Sequence, residues 1–436
     1  MKLSKHKKAI SLVNIILLVT LLIIIGWGYF GKYFNSINLG IFSNNKCEQA
    51  GKTADYYQSE LDKTLTDAVL LSAKTDPDSQ KLLAAKNQTI LSLFKEYTDC
   101  YLTAYEENNF KGFSKNPLDS LSFNKNTLIY LADLLYNSNQ KANARFYYAK
   151  YIKDYEKEDP VGADYALYME SRAYFDEGQY KLVYDDEHLG KLKGHVSSSE
   201  TRYTNDDVDF YYYLAKFKQA VSEDSTSPTY QKNIDAATAD LKTYYNTGAH
   251  KKEIEWQLAT YYYSKSDYTE AQTYLTALVA RGTPESLIAK SDLAYIPWAQ
   301  SRDEKDKSKK INLLGDAITQ FLEYGDLVKK VNSNLPADQQ LSWQNTQQDL
   351  MDLNICKLYE ELGNNGGGLS GKTPQDSYCS AIKQCQKVKD IYDTKSVFYG
   401  DADSTITTST KECDDYCDAN KGKCAKKCSE SGGCPP

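Results

Sequence analysis

Gly366 to Thr373 reads GGGLSGKT, the spacing G-x-x-x-x-G-K-[ST] of a loop that cradles phosphate with its backbone N–H groups. That chemistry needs a buried strand ahead of the glycines, and here the helical pattern NICKLYEELGNN comes first. No later apolar strand ends in an Asp that would hold magnesium. The stretch reads as a flexible Gly-rich linker, and no cofactor and no small-molecule substrate are expected.

Cysteine is the second chemical signal. Ten occur, at 47, 100, 356, 379, 385, 413, 417, 424, 428 and 434, five of them in the last 24 residues. Two C-x3-C spacings set Cys413 with Cys417, and Cys424 with Cys428, each pair on one helical face, with Asn420-Lys421-Gly422 as the turn. Two short antiparallel helices with nested bridges Cys413–Cys428 and Cys417–Cys424 are expected, because the tail has too few large apolar side chains to fold unstapled. Cys434 would then reach back to Cys379 or Cys385. Zinc is the rival reading, but C-x2-C spacing is usual for zinc and no His is near. Cys47 with Cys100 would tie the first helical pair together, and Cys356, Cys379 and Cys385 pair among themselves or with Cys434.

Of the four histidines, His188 and His195 share one polar loop with no Cys or carboxylate-rich set beside them, so no metal site is assigned. No Ser-His-Asp ordering or cofactor fingerprint is present. No catalytic residue is assigned, and the chain is not expected to be an enzyme.

The elements around these residues are helical. With 436 residues, 41% apolar content, 25% charge and a net charge of -7, the chain fits a folded, mildly acidic protein and lacks the basic footprint of a nucleic-acid binder. Its 37 Tyr against 13 Phe fall mostly in helical patterns, where a ring packs and its hydroxyl reaches water or a carbonyl. Ile10 to Phe30 carries no charge over 21 residues, enough at about 1.5 Å per residue to cross a hydrocarbon core. Lys2, Lys5, Lys7 and Lys8 precede it, so residues 1–9 are expected in the cytoplasm and the chain beyond Gly31 outside the cell membrane. A cleaved secretory signal is the second reading of this segment.

Residues 31–46 read as a polar stalk and 47–122 as a helical hairpin, broken by Thr75-Asp76-Pro77 and carrying the sequon Asn87-Gln88-Thr89. Residues 123–362 carry paired helices. In Ile254–Leu278 one apolar stripe (Trp256, Leu258, Ala259, Tyr262) is followed, after Ser266-Asp267, by a second (Tyr268, Ala271, Tyr274, Leu275, Leu278). Ala259 and Ala271 are placed to meet at a close crossing. Leu131-Ala132 with Ala144, Tyr148 and Tyr151 repeats the pattern; Ser171-Tyr174-Gly178, Leu214-Ala215 and Leu293-Ala294 open further units. The extra length goes into loops at Glu187–Asp207 and Ser222–Pro228, and a helix at Ser342–Leu362 is placed to cap the stack. Residues 363–375 are the linker and 376–436 a short helix with the Cys-rich tail.

This pattern resembles the tetratricopeptide repeat (TPR) family, with Leu258-Ala259, Tyr262, Asp267-Tyr268 and Glu270-Ala271 as the matching residues and Glu255 where the family has a large aromatic. The resemblance implies a degenerate TPR-like α-solenoid, so the expected fold is all-α, this solenoid following the N-terminal transmembrane helix read above and ending in the small Cys-rich tail. It also implies a groove, lined by the first helix of each pair, that binds protein partners. Carried over, the groove residues are Asp133, Tyr136, Tyr168, Arg172, Phe175, Tyr212, Lys216, Thr260, Tyr263, Tyr295 and Trp298. The expected function is a membrane-anchored extracytoplasmic scaffold, an accessory subunit of an export or envelope-assembly complex. The alternative is a surface filament subunit, since Lys7 to Leu12 is similar to the prepilin-like signals of archaeal surface proteins, with Asn14 where pilins carry Glu.

Overall fold

A computed structural model of the chain describes residues 52–102, 116–369, 372–424, 426–430 and 434. Their regular structure is helical, and one isolated bridge joins Lys421 to Cys424. The helices form two compact units, one ending at Tyr203 and the other beginning at Thr204.

The first unit contains α1 (Ala54–Ser72), α2 (Pro77–Tyr97), α3 (Lys125–Asn137), α4 (Lys141–Tyr155) and α5 (Pro160–Asp176). Side chains of Thr53, Asp76, Asn124 and Asp159 cap α1, α2, α3 and α5. Asp76 and Asp159 each cap a helix whose first residue is Pro, which has no N–H to leave orphaned. The short connections reverse the chain between α1 and α2, α3 and α4, and α4 and α5, and these pairs pack together, while α3 packs on α1. Leu131, Ala132, Leu135, Ala144, Tyr148 and Tyr151 are all buried, as their spacing predicts. The segment expected as a solvated loop from Glu187 instead folds back on α5. Leu189, Leu192 and Tyr203 are buried there, and the Tyr203 ring stacks on Tyr168 with centroids 4.3 Å apart.

The second unit runs through α6 (Asn205–Ser222), α7 (Tyr230–Thr247), α8 (Lys251–Ser264), α9 (Tyr268–Ala280), α10 (Ser286–Asp303), α11 (Lys307–Ser333), α12 (Gln348–Asn364), α13 (Pro374–Tyr392) and α14 (Tyr399–Ala419). Ala259 and Ala271 are both fully buried in the α8–α9 pair. The turn between them is made by Ser266 in the left-handed region and by the Asp267 side chain, which accepts from the Glu270 N–H. Glu255 is buried where the family resemblance calls for an aromatic. It compensates by accepting from Arg281 at 2.8 and 3.0 Å and from the Tyr245 hydroxyl at 3.0 Å.

Several expectations are corrected. Among the described residues no helix is long and apolar enough to cross a membrane. Even α11, 27 residues long, carries Lys307, Lys309, Lys310, Asp316, Glu323, Asp326, Lys329 and Lys330. Residues 10–30, on which the transmembrane helix was placed, lie outside the described residues, as do the stub, the stalk and the prepilin-like stretch. The membrane-anchored fold class and the extracytoplasmic placement are therefore withdrawn; a helical repeat-like fold remains.

The helix at 342–362 does not close the stack. A left-handed Gln347 breaks it, and α12 is covered by α13 and α14. Its polar residues are consumed in buried hydrogen bonds: Ser396 Oγ donates to Asp349 at 2.7 Å, Tyr392 Oη to Asp352 at 2.6 Å, and Asn354 Nδ2 to Tyr295 Oη at 2.6 Å. Two long helices, not one short one, follow the glycines. The stripe of α14 that faces inward is Ala402, Thr405, Ser409, Cys413 and Cys417, small side chains that allow close approach.

Candidate functional site

The phosphate-loop spacing has a structural use. Gly366 takes a positive φ of 70° as the residue past the end of α12, and its N–H reaches Gly363 O at 2.7 Å while that of Gly367 reaches Leu362 O at 3.0 Å. Those two bonds close a left-handed helix cap. Thr373, whose counterpart in a phosphate loop holds magnesium, caps α13 in a reciprocal pair with Asp376. The segment is not a free linker: a Cβ on Gly367 would strike Ile311, and Ser377 Oγ donates to Gly367 O at 2.9 Å.

Four disulfides are present among the described residues: Cys413–Cys428 and Cys417–Cys424, nested as expected, together with Cys379–Cys434 and Cys356–Cys385. The second arm of the tail is not a helix. Cys424 and Cys428 sit on a turn segment that follows α14. Cys100 is also disulfide-bonded. Cys47, its expected partner, lies outside the described residues. Among the described residues His188 joins no metal-ligand group; its Nδ1 lies 2.7 Å from Asp185 Oδ1 and its ring packs edge-on against Tyr174.

In the first unit the structure brings together part of the groove set. Arg172 lies between the rings of Tyr136 and Tyr168, at 5.6 and 5.8 Å, and Tyr136 Oη donates to Asp176 at 2.7 Å. Asp133 is turned to internal use, accepting from Tyr148 at 2.7 Å and Tyr165 at 3.0 Å. Burial pushes its carboxyl above the usual carboxylate range, against the lowering effect of those two bonds. Phe175 packs edge-on against Tyr180.

In the second unit Lys216 pairs with Asp240 at 2.6 Å beside the Tyr212 ring, Thr260 is exposed, and Tyr263 meets Tyr268 edge-on. Tyr295 and Trp298 face inward. They pack on Phe321, and Trp298 Nε1 donates to Glu361 at 2.9 Å.

The opposite face of α10 opens a cleft that the sequence reading missed. Its volume is about 320 Å³, and its walls are Gln272 and Thr276 from α9, Leu293, Pro297 and Gln300 from α10, and Leu313, Asp316, Thr319 and Gln320 from α11. Pro297 lies inside α10 and has no N–H, so the Leu293 carbonyl loses its usual donor one turn on. Lys290, itself buried, donates to Gln320 Oε1 at 2.7 Å and orients that carboxamide. The signal in the sequence was a Pro inside a helical pattern, with Leu293, Pro297 and Gln300 at four- and three-residue steps.

No protein-family model matches the sequence, and no curated protein matches it either. Among solved structures the chain is similar to a monomeric mutant of IFIT1 with Gppp-AAAA, at 13% identity and a TM-score of 0.25. The likeness covers 83% of this chain and 87% of that one. A likeness this loose says nothing about the ligands of this chain.

Proposed function

We propose that this chain is a non-enzymatic helical-repeat scaffold that holds a protein partner by an extended segment laid in the cleft between α9, α10 and α11. The observation that carries the reading is the convergence of three glutamines, Gln272, Gln300 and Gln320, on one cleft. A carboxamide both donates and accepts, so a row of them suits the alternating N–H and C=O groups of an extended main chain. An apolar small molecule is a poor fit, because pockets for such ligands are lined mainly by apolar and aromatic side chains and only Leu293, Pro297 and Leu313 serve here. The TPR resemblance of the α8–α9 pair supports the same class of function. Benzoylphenylalanine placed at Thr276, on the exposed rim, is expected to cross-link a partner polypeptide in the native cell, whereas the same residue at the exposed Val397 is not. Equal capture at both positions, or none at Thr276, would oppose the proposal.

A further inference from the structure

Two of the tail disulfides lie against each other. Cys379 Sγ and Cys428 Sγ, which belong to different bridges, are 3.5 Å apart. The sulfurs of Cys379, Cys428 and Cys434 all fall within 4.8 Å of one another, the one such grouping of metal-type ligands among the described residues. Cys413 lies outside that grouping but is bonded to Cys428, one of its members, and so is the nearest candidate for a fourth sulfur. A tetrahedral zinc–thiolate site has bonds of about 2.3 Å, which places its sulfurs about 3.8 Å apart. The 3.5 Å separation of Cys379 and Cys428 across the two bridges is already close to that value.

We propose that, when these two bridges are reduced, Cys379, Cys413, Cys428 and Cys434 form a four-thiolate zinc site, so that the tail is pinned to α13 either by two disulfides or by one metal ion. The two cysteines on the helices are set by packing: Cys413 is fully buried on α14 and Cys379 nearly so on α13. Both present sulfur to the same segment in either state. Cα separations of 5.2 and 5.9 Å leave room for the bonded sulfurs to part without moving the helices. Four thiolates and no oxygen or nitrogen donor select zinc over magnesium or calcium.

The chemistry balances as follows. Two dithiol molecules give four electrons and four protons to the two S–S bonds, each dithiol becoming a cyclic disulfide. The four resulting thiols then release four protons as they bind Zn²⁺, leaving a site of charge minus two. Two molecules of a low-molecular-weight disulfide reverse the sequence, each taking up two electrons and two protons to become thiols as the bridges re-form and the metal is freed. The remaining bridges lie apart from the group. Cys356–Cys385 belongs to a separate core cluster, and Cys417–Cys424 contributes no sulfur to the close grouping.

The test uses the full chain, reduced with a phosphine and loaded with Zn²⁺ or Co²⁺ alone. The expected result is one metal retained per chain after desalting, with the intense ligand-field bands of tetrahedral all-thiolate Co²⁺. Bound Zn²⁺ should protect Cys379, Cys413, Cys428 and Cys434 from alkylation at least tenfold over the other cysteines, a readout on the unmutated protein. Cys428→Ser should abolish stoichiometric retention, while Cys417→Ser with Cys424→Ser should keep both stoichiometry and spectrum. Loss of the metal on desalting, or protection of a different set of cysteines, overturns the proposal.

Discussion

Arg281→Ala isolates the substitution of an ion pair for an aromatic in the α8–α9 repeat. Glu255 is 2% exposed, and its carboxylate accepts from Arg281 Nη2 and Nε and from Tyr245. Removing the guanidinium leaves a buried carboxylate with one hydroxyl donor, a class of change that costs roughly 3–5 kcal/mol. Arg281 is itself about one-third exposed, so water can enter the vacated space and lower the expected cost to about 2–4 kcal/mol. Replacing both partners, Glu255→Leu with Arg281→Leu, leaves no orphaned charge and should fall within about 1 kcal/mol of the parent. Urea unfolding followed by tryptophan fluorescence reads mainly the right part of the chain, because three of its four tryptophans, Trp256, Trp298 and Trp343, belong to the second unit, and Trp27→Phe removes the fourth. A single Arg281→Ala variant within about 1 kcal/mol of the parent would refute the argument. So would a double variant worse than the single one.

Ala271→Leu should overpack the α8–α9 crossing, where Ala271 has no exposed surface, and lower stability by roughly 1–3 kcal/mol in thermal unfolding. Burial, reinforced by the charge of Glu412, raises the Glu360 carboxyl from 4.5 to about 7, so the folded chain binds this proton more tightly than the unfolded chain. Its contribution is therefore complete below about pH 4.5 and is lost as the pH rises through about 7. Because Glu360 is only half-buried, the loss is discounted to about 1–2 kcal/mol. Glu360→Gln should flatten this slope in a series of unfolding curves between pH 5 and 8. Thr373→Ala should cost about 1 kcal/mol by removing the α13 cap, whereas Lys372→Ala should change neither stability nor partner binding. ATP binding that Lys372→Ala removed would contradict the cap reading.

The repeat pattern and the nested bridges were legible because each rests on short-range spacing: Leu131, Ala132 and Ala144 fall on helical faces, and Cys413 and Cys417 lie one turn apart. What the sequence hid was long-range. The inward stripe of α14 is Ala402, Thr405, Ser409, Cys413 and Cys417, which a search for large apolar residues passes over because all five are small and two are polar. The glycines at 366 to 368 read as a flexible linker because their packing partners, Ile311 and Ser377, come from other helices. Tyr295 and Trp298 were placed in a groove by their position in the repeat, and the structure turns them onto Phe321 and Glu361. The cleft of Gln272, Gln300 and Gln320 draws each carboxamide from a different helix, so no single stretch of sequence displays it.

The most direct test of the binding cleft is a selection of displayed, unstructured peptides on the full chain, followed by fluorescence-anisotropy titration of the selected peptides. The titrations compare the parent with a variant carrying Gln272→Ala, Gln300→Ala and Gln320→Ala. Three hydrogen bonds at about 0.5–1.5 kcal/mol each imply at least a tenfold loss of affinity, which corresponds to about 1.4 kcal/mol. The account predicts that loss with the variant still unfolding in one transition, its midpoint lowered only by the lost Lys290–Gln320 bond, since Gln272 is exposed and Gln300 half-buried. Peptides that bind parent and triple variant equally well, or a selection that yields none, would contradict it.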